Sequence, residues 1–238
     1  MERRQFIRMC AGSCTAISLG IGNHSLAAVE AKPRRYSRAM LVDNSGKPLR
    51  AGTLLTGQNY IFNYPFEGTP CFLLNLGRAT DKDVTLKTGK GDVYRWPGGV
   101  GKQRAVVAYS AICSHQLTYP TRQISFISYR DQSTASAISK PRMIHCCSEH
   151  SEFDPAAGAR VASGPAPQPL CAILLDYHEA DDSLHAVGTL GREMFDTFFQ
   201  KFEMRLSLEH GGNRARHNTG TTALVSTLSQ FCKQQVKC

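Results

Sequence analysis

The chain has 238 residues, enough for one well-filled core or for one domain with appendages. Lys and Arg number 28 against 19 Asp and Glu, a formal charge of +9. The basic residues are scattered and form no run interleaved with aromatics, which argues against nucleic-acid binding and leaves acidic partners favoured. Nine cysteines, at 10, 14, 71, 113, 146, 147, 171, 232 and 238, open metal, disulfide and buried-thiol roles. No internal repeat or low-complexity tract is present.

Residues 1–31 read as a targeting segment. Arg3-Arg4-Gln5-Phe6-Ile7 resembles a twin-arginine export signal, which implies a periplasmic protein exported already folded. The apolar run from Met9 to Gly22 is short for a membrane span, and Ser25-Leu26-Ala27 offers a cleavage site. An uncleaved leader would instead anchor the chain to the membrane. Next come short apolar runs punctuated by Gly and Pro: Arg38–Val42, Asn59–Tyr64, Cys71–Leu76 and Val84–Leu86. Lys90-Gly91-Asp92 and Trp96-Pro97-Gly98-Gly99 read as turns. Arg104–Ile112 is the strongest strand candidate, and it delivers Cys113 and His115 at its end.

Cys113-Ser114-His115 offers Cys-x-His, and Cys147-Ser148-Glu149-His150 offers Cys-x-x-His. Two thiolates and two imidazoles on two short loops suffice for one metal site. Tetrahedral zinc takes such a set, and buried unliganded cysteines are the plain alternative. Zinc motifs rarely use Cys-x-His.

The wider context resembles a Rieske protein. Cys113-Ser114-His115-Gln116-Leu117-Thr118-Tyr119-Pro120 is similar to the first Rieske box. Gly164-Pro165-Ala166-Pro167 is similar to the loop that covers the cluster. Gly99-Val100-Gly101, Val106–Ser110 and Ser151–Asp154 resemble the Rieske small subunit of arsenite oxidase in particular. The resemblance spans roughly residues 95 to 180. It implies one Rieske [2Fe–2S] cluster with Cys113, His115, Cys147 and His150 as ligands, two imidazoles replacing two thiolates on one iron.

Three departures stand out. The segment between His115 and Cys147 is longer than the family's, with Ile124–Tyr129 read as a hairpin before a polar Arg130–Arg142 loop. The extra cysteine of each box, which pairs across the loops in quinol-oxidising members, is replaced by Thr118 and Glu149. The stretch from His150 to Phe153 is also one residue short. A gap-free alignment would put Cys146 and Glu149 in the ligand places, with Ser151 as the serine that bonds a bridging sulfide. Glu suits a soft iron site less well than imidazole, so Cys147 and His150 are kept, with Cys146 as the fallback. Glu149 and Glu152 nearby imply a potential in the lower or middle part of the Rieske range.

Ala172–Tyr177 and Leu184–Leu190 read as a closing hairpin around Asp181-Asp182. His145, His178 and His185 read as strand or surface residues. Met194, Phe195, Phe198, Phe199 and Phe202 follow helical spacing, and Leu224, Val225, Leu228 and Phe231 suggest a second short helix beyond a polar linker. Cys232 and Cys238 are near enough in sequence to pair.

The expected architecture is mainly β: a Rieske-like antiparallel β-sandwich with a cluster-binding subdomain, plus C-terminal helices. Residues 32–190 form the Rieske domain, with its cluster-binding part at about 105–170, and 191–238 form a helical C-terminal extension. The expected function is exported electron transfer, as the small subunit or redox partner of a larger oxidoreductase. The resemblance implies a molybdenum-containing catalytic subunit as partner. The alternatives are a subunit of a quinol-oxidising cytochrome complex and a zinc-stabilised exported binding domain. His210 and His217 alone do not make the mononuclear iron site of a Rieske oxygenase, so catalysis by the chain on its own is not expected.

Overall fold

The computed structural model describes residues 31–132 and 140–238. The leader expected over residues 1–31 lies outside them apart from its last residue, as does the middle of the Arg130–Arg142 loop.

The Gly/Pro-punctuated apolar runs form strands: β1 (Arg34–Val42), β2 (Tyr60–Asn63), β3 (Pro70–Asn75), β4 (Val84–Lys87), β5 (Val93–Trp96) and β6 (Val106–Ser110). After the first cysteine loop come β7 (Ile124–Ser125), β8 (Ile127–Arg130), β9 (Met143–Cys146), β10 (Ser151–Asp154) and β11 (Arg160–Ser163). The closing hairpin is β12 (Ala172–His178) and β13 (Ser183–Leu190), paired antiparallel as expected. The C-terminal segment holds α1 (Phe195–Lys201), α2 (Glu203–His210), β14 (Thr222–Leu224), β15 (Ser226–Thr227), α3 (Leu228–Phe231) and β16 (Gln234–Gln235).

Eight strands form the main sheet in the order β14-β1-β13-β12-β6-β3-β2-β15. Only Val225 separates β14 from β15, so one short segment pairs with both edges and the sheet is nearly closed. Its pairings are antiparallel except for β1–β14. The protein is thus a mainly β domain with a nearly closed sheet and C-terminal helices. Near-closure leaves few free edges to template aggregation.

Strands β3 and β6 are buried along their whole working length, and their alternation explains how. Cys71 and Leu73 of β3, with Val106 and Ala108 of β6, face the interior of the sheet beside Leu41, Phe62, Ile173 and Leu184. Phe72 and Leu74, with Val107 and Tyr109, face the other way and meet Trp96, Ile127, Ile144 and Phe153. Side chains alternate across a strand, so two buried faces require a continuous apolar run rather than a polar–apolar alternation. The second layer is a four-stranded antiparallel sheet, β11-β10-β9-β8, with the β4–β5 hairpin beside it.

Three expectations are corrected. Residues Ile124–Tyr129 are not a hairpin: β7 pairs in parallel with β16, and β8 pairs with β9. The partner of β7 is more than 100 residues away, beyond the reach of local pattern reading. The second tail helix begins only at Leu228, where Thr227 and Gln230 form a capping box. Upstream, Thr222–Leu224 and Ser226–Thr227, with β-branched Thr222 and Thr227, are extended and complete the sheet. Cys232 is unpaired and buried, and Cys238 is bonded to Cys147 instead. Helix α2 was not foreseen because Met204 and Leu208 point outward and only Leu206 is buried, so it carries no apolar stripe. Among the described residues no helix is long and apolar enough to cross a membrane.

The Phe195–Phe199 stripe buries its rings against Phe66, Ile112, Leu117 and Tyr119. Tyr119 meets Phe198 edge-on at 4.9 Å between ring centroids. Phe198 is fully buried, so Phe198→Ala is expected to destabilise the domain by about 3–5 kcal/mol in a denaturant titration. Met204→Ala, at an exposed site of α2, is expected to change stability by no more than about 0.5 kcal/mol.

Candidate functional site

Strand β6 runs into the first cysteine loop and β9 into the second. Cys113 is fully buried and its loop is tight: the Cys113 amide donates to the Thr118 carbonyl at 2.8 Å, and the Leu117 amide to the Cys113 carbonyl at 3.0 Å. Leu117 takes a left-handed conformation, φ 61°. The second loop is the turn of the β9–β10 hairpin, whose end residues Cys146 and Ser151 are directly paired. The Glu149 amide approaches the Cys146 carbonyl at 3.4 Å, and His150 is left-handed, φ 55°.

The two loops match. Each begins at a cysteine and places a left-handed non-glycine residue four positions on, an uncommon conformation for such residues. The amides of His115 and Gln116 lie near the Cys113 sulfur, and those of Ser148 and Glu149 near the Cys146 sulfur, where they favour negative charge. The two thiols face each other in hydrogen-bond contact. Bonding from the Cys146 thiol, helped by the loop amides, lowers Cys113 to about 7 against the opposing effects of burial and the Glu149 carboxylate. Cys146 moves the opposite way, raised by donating to Cys113 and by burial. The pair therefore holds one proton more firmly than the other.

This geometry shifts the second half of the motif by one residue. Cys146, not Cys147, stands beside Cys113. Cys147 turns away and is bonded to Cys238. Counting from Cys146, the Cys-x-x-His pattern becomes Cys-x-x-Glu and falls on Glu149. His115 and Glu149 are half-buried, whereas His150 is exposed. The signal for Cys146 lay in the period of two along β9: Ile144 and Cys146 share the buried face with Phe153 of β10, which turns Cys147 off that face.

A third loop crosses both others. Gly164 follows β11 with φ 88°, and a Cβ there would lie 2.5 Å from the His150 carbonyl oxygen and 2.6 Å from the Ser151 Cα. Only glycine permits this backbone approach. Four residues on, the Gln168 carbonyl accepts the Ser114 hydroxyl at 2.6 Å. The Gly164–Pro167 stretch is thereby fastened to the second loop at one end and to the first at the other.

Two polar atoms in these loops are buried without a partner: Nδ1 of His115 and the hydroxyl of Ser151. Such groups are expensive to leave unsatisfied and call for an occupant. Orphaned polar atoms are not confined to these loops: Nδ1 of His185, on the closing hairpin, is also buried without a partner. His145 uses both ring nitrogens, one against the Lys140 carbonyl at 2.8 Å and the other 3.5 Å from the Glu152 carboxylate, and burial lowers its pKa. His178 and His185 lie together on the closing hairpin, 5.9 Å between centroids.

The donor set fits an iron–sulfur group in its chemistry: two sulfurs in contact, an orphaned imidazole nitrogen and an orphaned hydroxyl on the same loops. The fourth position offers a carboxylate in place of a second imidazole. As the side chains stand, no group of three or more His, Cys, Asp or Glu among the described residues is close enough to hold a metal ion. Sequence reasoning gave Arg130 no role and offered Cys232 as the partner of Cys238; both Arg130 and Cys238 lie against the second loop.

No protein-family model matches the chain. Among solved structures it is similar to the soluble domain of Rieske protein II from Sulfolobus acidocaldarius, with 22% identity over 77% of this chain and 96% of that one, at a TM-score of 0.47. This is a distant likeness to a Rieske-type domain.

Gly164→Ala is expected to destabilise the domain by about 1–3 kcal/mol or more, because it adds backbone strain to a clash with His150 and Ser151. Gly91→Ala, at φ 90° but in open space, carries the strain without the clash and is expected to lose less. Paired denaturant titrations separate the two effects.

Proposed function

We propose that this chain is a one-electron carrier of the Rieske type. The observation that supports it best is the pair of buried sulfurs, Cys113 and Cys146, at the tips of two matched loops that also carry the orphaned His115 nitrogen and Ser151 hydroxyl. In this reading Cys113, Cys146, His115 and Glu149, the last in place of His150, are the residues that would hold a [2Fe–2S] cluster. The cluster, when bound, supplies reversible one-electron chemistry.

The chain's own residues do the rest. Amides of His115, Gln116, Ser148 and Glu149 lie near the two sulfurs and favour negative charge there. Ser151 offers its hydroxyl to a further sulfur acceptor. The Gly164–Pro167 loop limits water at the loop tips. Pre-set amide dipoles need little rearrangement when charge changes, which suits an electron carrier. The chain would pass electrons to or from a larger catalytic subunit, of the molybdenum-containing kind, or a cytochrome, after export to the periplasm through the leader.

A set of two cysteines, one histidine and one glutamate is also a chemically sound zinc site, because zinc accepts carboxylate oxygen readily. Metal analysis of protein purified without oxygen decides between the two. The electron-transfer reading expects about two irons and two acid-labile sulfides per chain, with an anisotropic EPR signal on reduction. About one zinc and no sulfide would overturn it.

The register has its own test. Cys146→Ser is expected to abolish iron retention, whereas Cys147→Ser is expected to keep the cluster. The reverse result would restore Cys147 as the ligand. Glu149→His replaces a negative donor with a neutral one and is expected to raise the midpoint potential in protein-film voltammetry.

A further inference from the structure

Residues 232–238 run along the second cysteine loop and are held there three ways. Strand β16 pairs in parallel with β7, and the Val236 amide donates to the Ser125 carbonyl at 2.9 Å. Cys238 is disulfide-bonded to Cys147, across 91 residues of chain. Arg130, only 2% exposed, reaches from β8 with its guanidinium to the Val236 carbonyl at 3.2 Å, the Cys147 sulfur at 2.8 Å and the Cys238 carbonyl.

The loop gains from this at one place above all. Cys146 and Cys147 are adjacent, and a hairpin slip of one residue would exchange them, because neighbouring side chains point to opposite faces. The buried face of β9, Ile144 and Cys146, opposes the slip from the strand side, whereas Ser148 and His150 at the turn are exposed and add no apolar packing. The disulfide ties Cys147 to a segment that β7 and Arg130 fix on the outer side. Cys147 therefore cannot turn toward Cys113.

We infer that residues 232–238 are a strap whose Cys147–Cys238 bond and Arg130 clamp select Cys146 as the sulfur that faces Cys113, and that reducing this bond releases the selection. The inference about metal retention rests on the electron-carrier reading; the selection of Cys146 over Cys147 does not. Chemically, a phosphine reductant would break the S–S bond by two electrons, leave both cysteines as thiols, and become the phosphine oxide with oxygen taken from water. Cys147 and Cys238 are both half-buried, so a small reductant has access that the fully buried Cys113 and Cys146 deny it. With the bond broken, the strap would be held only by the Arg130 contacts to its carbonyls and by the pairing of β16 with β7, which are non-covalent and can open.

The test uses the full-length protein. Non-reducing peptide mapping is expected to recover a Cys147–Cys238 cross-linked peptide. Hydrogen exchange at amides 145–150 is then compared among untreated protein, protein reduced by tris(2-carboxyethyl)phosphine, Cys238→Ala and Cys232→Ala. Reduction and Cys238→Ala are each expected to speed exchange about tenfold or more, and Cys232→Ala to leave it unchanged. Mild oxidation of Cys238→Ala is expected to trap Cys113 with both Cys146 and Cys147, whereas wild type traps only Cys146. Absence of the cross-link, or exchange and trapping that match wild type after reduction, overturns the strap. These readouts need no metal, so a chain without iron would refute the electron-carrier reading and still decide this one. The reduced wild-type arm decides it even if Cys238→Ala does not fold.

Discussion

The contact between the Cys113 and Cys146 sulfurs sets the terms for the rest of the molecule. Two loops from distant parts of the chain must meet at side-chain range, and both ends must be rigid for the meeting to persist. The first loop gets its rigidity from β6, buried on both faces between β3 and β12. The second gets it from a hairpin whose apolar face, Ile144, Cys146 and Phe153, packs on the outer side of the same strand pair. Thus β3 and β6 serve two cores at once, and the alternation of their side chains fixes how the loops face each other. Ligands held on strand ends in this way are positioned more sharply than ligands on free loops.

Much of this was legible in the residues. The strands from Val106 to Ser110 and from Ala172 to Leu190, the β4–β5 turn at Lys90–Asp92 and the aromatic helix at Phe195–Phe199 each follow from a local pattern. Cys113, His115 and the Gly164–Pro167 loop were also visible, because their spacing and composition are unusual. What sequence could not supply was the long-range partner. The pairing of β7 with β16 and of Cys147 with Cys238 joins segments with no local signature for each other. The strand at Thr222–Thr227 was hidden because Leu224, Val225 and Leu228 also satisfy a helical spacing, and its pairing with both β1 and β2 decided the outcome.

The inward position of Cys146, rather than Cys147, has a physical cause. Cysteine and histidine were weighed by ligand chemistry, which favours His150 over Glu149. The backbone weighs something else: which sulfur lies on the inward face of β9, and which residue tolerates the left-handed turn. Burial of Ile144 and Cys146 on one face, with the turn at His150, answers both together. Chemical preference for a ligand is a property of a side chain, but access to a site belongs to the register of a strand, and a slip of one residue reverses it.

The supports of the two loops differ in kind, and the difference follows from their composition. The first loop carries Ile112, Leu117 and Tyr119, so α1 can hold it by burying aromatic rings against them, with Lys201 adding a bond of 2.8 Å to the Gln116 carbonyl. Apolar packing of this sort is non-directional and tolerates small adjustment. The second loop, Cys147-Ser148-Glu149-His150, offers no apolar side chain for a helix to cover. Its order has to come from directional contacts: the paired ends of the hairpin, the Cys147 amide on the Phe126 carbonyl at 2.6 Å, the disulfide and the Arg130 fork. The C-terminal segment supplies both kinds of support, a greasy helix where the loop is greasy and a covalent strap where it is polar. Its two ends therefore hold the two cysteine loops by different means, α1 through Ile112, Leu117 and Tyr119 and the strap through Cys147, which ties residues 191–238 to the site.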